Sequence, residues 1–241
     1  MKYFETWDFP GDLNMAIDYV LGRFGYPFLR FYTWKVPTLS LGVNQKIENI
    51  NFKFIKEIGY ECVRRPTGGR AVFHFKELTY SVVIPKGHKF FNLSVLEFYK
   101  QISLILVEGL NNLGFPVELS ERNLKGNTSA CFDSPSWYEI TLKGYKVVGS
   151  AQMRTKEFVL QHGSIILETN NEIKYCFKNI EPEVAQYGLD LHMKINIFKL
   201  KDTLLDAFSK YFEIEKLENF DEIIQLAEQE KERFVCKGNY M

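Results

Sequence analysis

The chain has 241 residues, with 30 Lys and Arg against 30 Asp and Glu, 46% apolar residues and 25% charged residues. This balance argues against a polybasic nucleic-acid or membrane binder, and the length supports a core that needs no metal or disulfide staple. No stretch approaches 18 apolar residues and the first ten carry no apolar signal segment, so a cytoplasmic protein is expected.

Residues 12–24 predict a helix, because Leu13, Ile17, Val20 and Phe24 recur at three- and four-residue steps, with Asn14 and Asp18 on the other side. Residues 28–34 and 37–41 are short and aromatic or β-branched, and predict strands. A short helix near 51–58 is expected to stop at Gly59. Strands at 60–65 and 70–73 flank a turn at Pro66-Thr67-Gly68-Gly69, and another strand covers 78–84. Ser94-Val95-Leu96-Glu97 is a capping box that opens a helix ending at Gly114. Strands follow at 116–119, 137–142 and 145–152, the last two joined at a Lys143-Gly144 hairpin turn. A further strand spans 158–168 with a glycine break at Gly163, and the tail is helical at 199–212 and 220–233. Helices mixed with hairpin-linked strands predict an α+β fold with a mixed, largely antiparallel sheet. No linker or repeat divides the chain, so residues 1–241 are expected to form one domain. Fingerprints for dinucleotides, P-loop phosphates and zinc proteases are absent.

Three stretches carry chemistry. In Arg64-Arg65-Pro66-Thr67-Gly68-Gly69-Arg70-Ala71-Val72-Phe73-His74, paired glycines let the backbone approach a ligand, and exposed N–H groups cradle an anion or a carbonyl oxygen. Three arginines supply charge for a carboxylate, a phosphate or an acidic partner. The same pattern also suits a plain connection with solvated arginines, and His74 suits a base, a donor or a satisfied core residue. The four cysteines, Cys62, Cys131, Cys176 and Cys236, have no zinc-site spacing and read as free thiols. Cys131 stands apart in Ser129-Ala130-Cys131-Phe132-Asp133-Ser134-Pro135, a loop-like and accessible setting. A nearby cation would raise its thiolate fraction and a nearby carboxylate would lower it. Lys146 and Asp133 are the rival neighbours, and the sequence leaves open which is closer. The third stretch, Gly149-Ser150-Ala151 with His162-Gly163-Ser164, places small residues in strands, where they leave space for an acyl chain or mark tight sheet packing.

Together these motifs resemble the lipoate ligase, octanoyltransferase and biotin ligase group. The glycine motif is Arg64–His74 and the lysine motif runs from Lys143 to Gln152. The segment Ala130–Glu139 is similar to the cysteine segment of the octanoyltransferases of the LipM type. The resemblance runs from about Asn14 to Glu168, and a helical part near 195–241 lies beyond it. It implies a biotin/lipoate protein ligase-like catalytic domain. It also implies transfer of an octanoyl group from octanoyl-acyl carrier protein to a lysine of a lipoyl domain, such as the glycine cleavage H protein.

By position, Cys131 is then the acyl-thioester nucleophile and Lys146 the cation beside it. Arg65, Gly68, Gly69, Arg70, His74, Gly149, Ser150, Ala151, His162 and Gly163 bind substrate. The donor is already activated, so no metal, ATP or other cofactor is expected. Neither a nucleic-acid nor a membrane partner is implied, and a monomer is the default. Arg70 stands where lipoate ligases usually carry a third glycine, and ligases generally lack a cysteine matching Cys131. An ATP-dependent lipoate or octanoate ligase, an amidotransferase between lipoyl proteins and a non-catalytic binding module are the rival readings.

Overall fold

A computed structural model describes residues 1–120, 138–179 and 185–237. Its strands are β1 (Lys2–Phe9), β2 (Phe28–Trp34), β3 (Thr38–Leu41), β4 (Glu61–Arg64), β5 (Val72–His74) and β6 (Glu77–Pro85), then β7 (Val117–Ser120), β8 (Glu139–Leu142), β9 (Tyr145–Arg154), β10 (Phe158–Ile166) and β11 (Glu215–Lys216). Its α-helices are α1 (Gly11–Val20), α2 (Phe52–Glu57), α3 (Val95–Asn112), α4 (Ile197–Ser209) and α5 (Asp221–Glu230).

Among the described residues, eight strands form one sheet in the order β11-β1-β2-β6-β10-β9-β8-β7, and three form a small sheet ordered β4-β3-β5. The pairs β1–β2, β1–β11 and β3–β4 are parallel, and the rest are antiparallel. This is the mixed, largely antiparallel α+β fold the sequence predicts.

Side-chain alternation divides the large sheet into two working faces. Leu78, Tyr80, Val82 and Ile84 of β6 join Phe98, Ile102 and Leu106 of α3 and Leu204 and Phe208 of α4 in one core. On the opposite face, Phe4, Phe28, Tyr32 and Leu160 pack with α1 and with Ile223 and Ala227 of α5. The local signals act as read. Ser94 Oγ accepts from Glu97 N–H and Glu97 accepts from Ser94 N–H, so two otherwise unpaired donors at the start of α3 are satisfied. Lys143 and Gly144 both take positive φ, which closes the β8–β9 hairpin with the twist a two-residue turn needs.

Four readings change. The helix expected over 12–24 ends at Val20, and the side that carries Asn14 and Asp18 is covered as well, so both residues are fully buried. Gly163 breaks nothing, since β10 is paired continuously from Phe158 to Ile166. A Cβ there would sit 2.6 Å from Ser150 Oγ and 2.7 Å from Gly149 O, so the ladder runs through a position that only glycine fits. Strands β4 and β5 flank the glycine turn but do not pair with each other; each pairs with β3, so residues 65–71 cross over the end of that strand. The sequence reading also missed β1 and β11. β1 buries Tyr3 towards one face and Phe4 towards the other, which obscures its alternation, and β11 has only two residues.

Candidate active site

The small sheet closes over the α1 side of the large sheet and leaves a narrow cavity between them. Ser40 of β3, Arg65, and Val72 and His74 of β5 form the roof. Tyr32 and Trp34 of β2, Thr79 of β6 and Met15 of α1 form one wall, and residues 149–151 and 162–164 form the other.

The glycine loop is held by its own arginines. Arg65 donates from Nε and Nη2 to Gly68 O, from Nη2 to Arg70 O, and from Nη1 to Ser40 O and Oγ at 3.0 and 3.1 Å. Arg64 donates to the carbonyls of Gly42, Val43 and Gln45. These two guanidiniums therefore stabilise backbone turns, so solvated arginines are the wrong picture for them. Gly42, a position the sequence reading passed over, is where the loop lands. A Cβ on it would lie 2.0 Å from Gly69 O, and Val43 N–H donates to Thr67 O at 2.9 Å. Gly69 takes φ +90°, which a side chain would resist.

Beneath the loop lies a buried polar network. His162 Nδ1 is 2.8 Å from Asp18 Oδ2, and Nε2 is 2.7 Å from Thr67 Oγ1. Asp18 also accepts from Tyr32 Oη and from Arg30 Nη1, both at 2.9 Å. Burial alone would raise the Asp18 carboxyl, but the hydrogen bonds of His162 and Tyr32 and the charge of Arg30 hold it below the usual range. Burial pushes His162 below the ordinary histidine range, aided by the charges of Arg65 and His74 and opposed by Asp18. Arg30 is itself fully buried against Thr6, Asn14 and the Tyr32 ring.

His74 has the same kind of setting. Its Nδ1 is 2.8 Å from Glu77 Oε1 and its Nε2 is 2.7 Å from Ser40 Oγ. Its ring stacks on Trp34 with centroids 3.8 Å apart. Of the roles the sequence left open for His74, the geometry favours the satisfied, hydrogen-bonded one.

Lys146 reaches the site side of the sheet through a bulge. Ile140 pairs with Val148, but Thr141 pairs with Lys146, so two residues of β9 oppose one of β8. Val147 and Val148 consequently both enter the α3-side core, and Lys146 turns to the face of Gly149, Ala151 and His162. In a regular ladder it would point under α3. Its Nζ lies 2.8 Å from Glu139 Oε1, and both side chains are buried. Glu139 is thus the carboxylate that orients Lys146, which the sequence did not disclose.

Of the residues singled out from sequence, Arg65, His74, Gly149, Ser150, Ala151, His162 and Gly163 line the one cavity. The Ser150 hydroxyl faces away from it and bonds Tyr80 Oη at 2.7 Å. Gly68, Gly69 and Arg70 sit in the loop above. Cys131 and Asp133 lie outside the described residues. Among the other cysteines, burial pushes Cys176 up to about 12, and a hydrogen bond from Cys62 draws Cys236 down to about 7; none of the three lines this cavity. Sequence reading missed Asp18, Tyr32, Ser40, Thr67 and Glu77. Thr67 lay inside the glycine motif without being singled out, and Glu77 lay three residues after His74.

The model of the lipoyl protein ligase A/B catalytic domain matches residues 12–209. The chain belongs to this family. Its similarity to named enzymes makes it an acyltransferase. Octanoyltransferase LipM of Carboxydothermus hydrogenoformans is 39% identical, covering 98% of this chain and 96% of its own. The LipM octanoyltransferase of Halalkalibacterium halodurans is 38% identical with the same coverage. Among solved structures, a lipoate-protein ligase A bound with ATP superposes with a TM-score of 0.79 at 21% identity, covering 96% of this chain and 94% of its own. A bipartite lipoate protein ligase from Thermoplasma acidophilum gives 0.75 at 21% identity, covering 96% and 91%. The acyltransferase has the lipoate-ligase fold, with the cavity at the junction of its two sheets.

Proposed function

We propose that the chain transfers an octanoyl group from octanoyl-acyl carrier protein to a lysine of a lipoyl domain, through a thioester on Cys131. The observation that carries this reading is near-full-length similarity to enzymes named as octanoyltransferases. The buried Lys146–Glu139 pair, brought to the cavity side by the β9 bulge, supports it.

The Cys131 thiolate attacks the donor thioester carbonyl, the carrier thiol leaves, and octanoyl-Cys131 remains. Backbone N–H groups of the glycine loop and Lys146 stabilise the oxyanion. The acceptor lysine amine then attacks the new thioester and regenerates the thiol. Both acyl bonds exchanged are already activated or formed on the enzyme, so the reaction uses no ATP, metal or other cofactor. The chain acts in the cytoplasm as a single monomeric catalytic domain over 1–241. The packing of α4 on α3 and of α5 on α1 supports treating the C-terminal helices as part of that unit.

The test is intact-protein mass spectrometry after mixing with octanoyl-acyl carrier protein, without ATP or acceptor. A hydroxylamine-labile octanoyl adduct on Cys131, lost in Cys131→Ala, is expected. Transfer that needs octanoate, ATP and magnesium and survives Cys131→Ala would replace this reading with the ligase.

A further inference from the structure

We propose that Asp18 and Glu77 are positioning residues of the active site, each fixing an imidazole whose other nitrogen locks the glycine loop. The loop is reached twice from below by the same arrangement of carboxylate, imidazole and hydroxyl. One chain runs Asp18–His162–Thr67 and the other Glu77–His74–Ser40.

The proton positions follow from the partners. Asp18 Oδ2 already accepts from Tyr32 Oη, so its contact with His162 Nδ1 is an N–H donated to a carboxylate. Nε2 of the neutral ring is then an acceptor, and the Thr67 hydroxyl donates to it. Glu77 Oε1 only accepts, and Ser164 Oγ, 3.0 Å from His74 Nδ1, donates its proton to that same oxygen, so the proton between His74 Nδ1 and Glu77 belongs to the ring. Ser40 Oγ accepts from Arg65 Nη1 and is left to donate to His74 Nε2.

From there the two chains meet. Thr67 is a residue of the loop, and its carbonyl is fixed by Val43 N–H. Ser40 holds Arg65, and Arg65 holds Gly68 O and Arg70 O. Every link is buried: Asp18, Ser40 and Thr67 are fully enclosed, and His74, His162, Glu77 and Arg65 nearly so. Of the polar side-chain atoms in these links only Glu77 Oε2 has no hydrogen-bond partner among the described residues, and buried hydrogen bonds of this kind rigidify what they hold. A loop whose N–H groups are to face a developing oxyanion needs that rigidity before the substrate arrives.

The proposal rests on the transferase reading for its kinetic arm only. Nitrogen-15 NMR of histidine-labelled full-length protein, with ring signals assigned through His74→Gln and His162→Gln, is expected to show both rings protonated at Nδ1 and bare at Nε2. An Nε2–H ring at either position overturns that chain. Thr67→Val removes one hydroxyl at nearly constant shape, and Thr67→Ser restores it. Single-turnover acylation by octanoyl-acyl carrier protein should fall roughly 100-fold in Thr67→Val, with the half-saturating donor concentration little changed. Thr67→Ser should recover most of that loss. Amide exchange at residues 68–71 should quicken in Thr67→Val and in Ser40→Ala, while the rest of the sheet keeps its protection. Wild-type loop protection in both variants, or equal slowing by Ser and Val at position 67, overturns the positioning role. A wild-type enzyme that takes no acyl group but shows the expected tautomers and loop exchange overturns the transferase reading and leaves the relays standing.

Discussion

Around His162 both oxygens of the carboxylate are occupied: Asp18 Oδ1 faces Arg30, and Oδ2 faces Tyr32 and His162. Around His74 the load is one-sided: Glu77 Oε1 meets His74, Thr79, Ser164 and Trp34, while Oε2 is buried with no hydrogen-bond partner among the described residues. The first carboxylate is also half of an ion pair with a cation at 0% exposure, whereas the second has only neutral side-chain donors and the imidazole. Two relays alike in outline are therefore built differently. One engages both carboxylate oxygens and carries a buried ion pair. The other loads a single oxygen and leaves its second one unbonded.

The sharpest test of that difference is a pair of amide substitutions. Asp18→Asn puts an NH₂ where a donor already points and leaves Arg30 buried without its counter-charge. Breaking a buried pair from one side costs about 3–5 kcal/mol. Glu77→Gln can keep its carbonyl oxygen at the Oε1 position and place the NH₂ where Oε2 had no partner, so a loss of about 1 kcal/mol is expected, on the scale of one net hydrogen bond. Urea unfolding of the two variants measures both. Equal losses would mean that the two carboxylates are equivalent after all.

The buried pair Lys146–Glu139 extends the comparison to the cation proposed above for the chemistry. Lys146→Met should cost about 3 kcal/mol, because Glu139 is then left buried against an apolar side chain. Adding Glu139→Gln removes the carboxylate charge that faced Lys146 and should return about 1–2 kcal/mol, a coupling typical of groups in contact. Octanoylation of Cys131 should stay lost in the double variant, because stability is restored and the cation is not. Recovery of activity with stability would make Lys146 a structural residue.

What could be read in advance follows from how local each signal is. The α3 capping box, the Lys143-Gly144 turn and the apolar steps of α1 from Leu13 to Val20 all act within a few residues, and each is found where the sequence places it. The relays depend on contacts made only in the folded chain. Asp18 lies 144 positions from His162, and Ser40 lies 34 from His74. Asp18 lies on the side of its helix away from the apolar steps, and nothing local to it signals that Arg30, in an aromatic strand, is buried against it. The bulge that turns Lys146 towards the cavity is equally silent, because Lys-Val-Val reads as ordinary alternation until the register with β8 shifts. The small residues at 149–151 and 162–164 were legible as space, although Gly163 serves the opposite face of the sheet, against Tyr80 and Ser150.

The smallest expected effect is a pH dependence carried by the relay around His162. His162 faces Asp18, Arg65 and His74, and burial holds its folded-state value below that of the unfolded chain. Between about pH 6.5, the unfolded histidine value, and the lower folded value, the unfolded chain carries a proton the folded one lacks. Stability therefore rises with pH in this window and is lost as pH falls through it, with a slope of at most about 1.4 kcal/mol per pH unit. Asp18, also held low, acts in a separate window beginning near the ordinary carboxylate value and extending below it. His88 is lowered as well, by partial burial first and then by the charge of Lys89, so the raw slope is not due to one ring. The informative quantity is the difference between wild type and His162→Gln in urea midpoints from pH 7.5 to pH 5. A wild-type slope that flattens in the variant assigns the lost stability to the ring between Asp18 and Thr67. The same slope in both would mean that protonating His162 leaves its hydrogen bonds intact, and the acceptor role of Nε2 would fall with it.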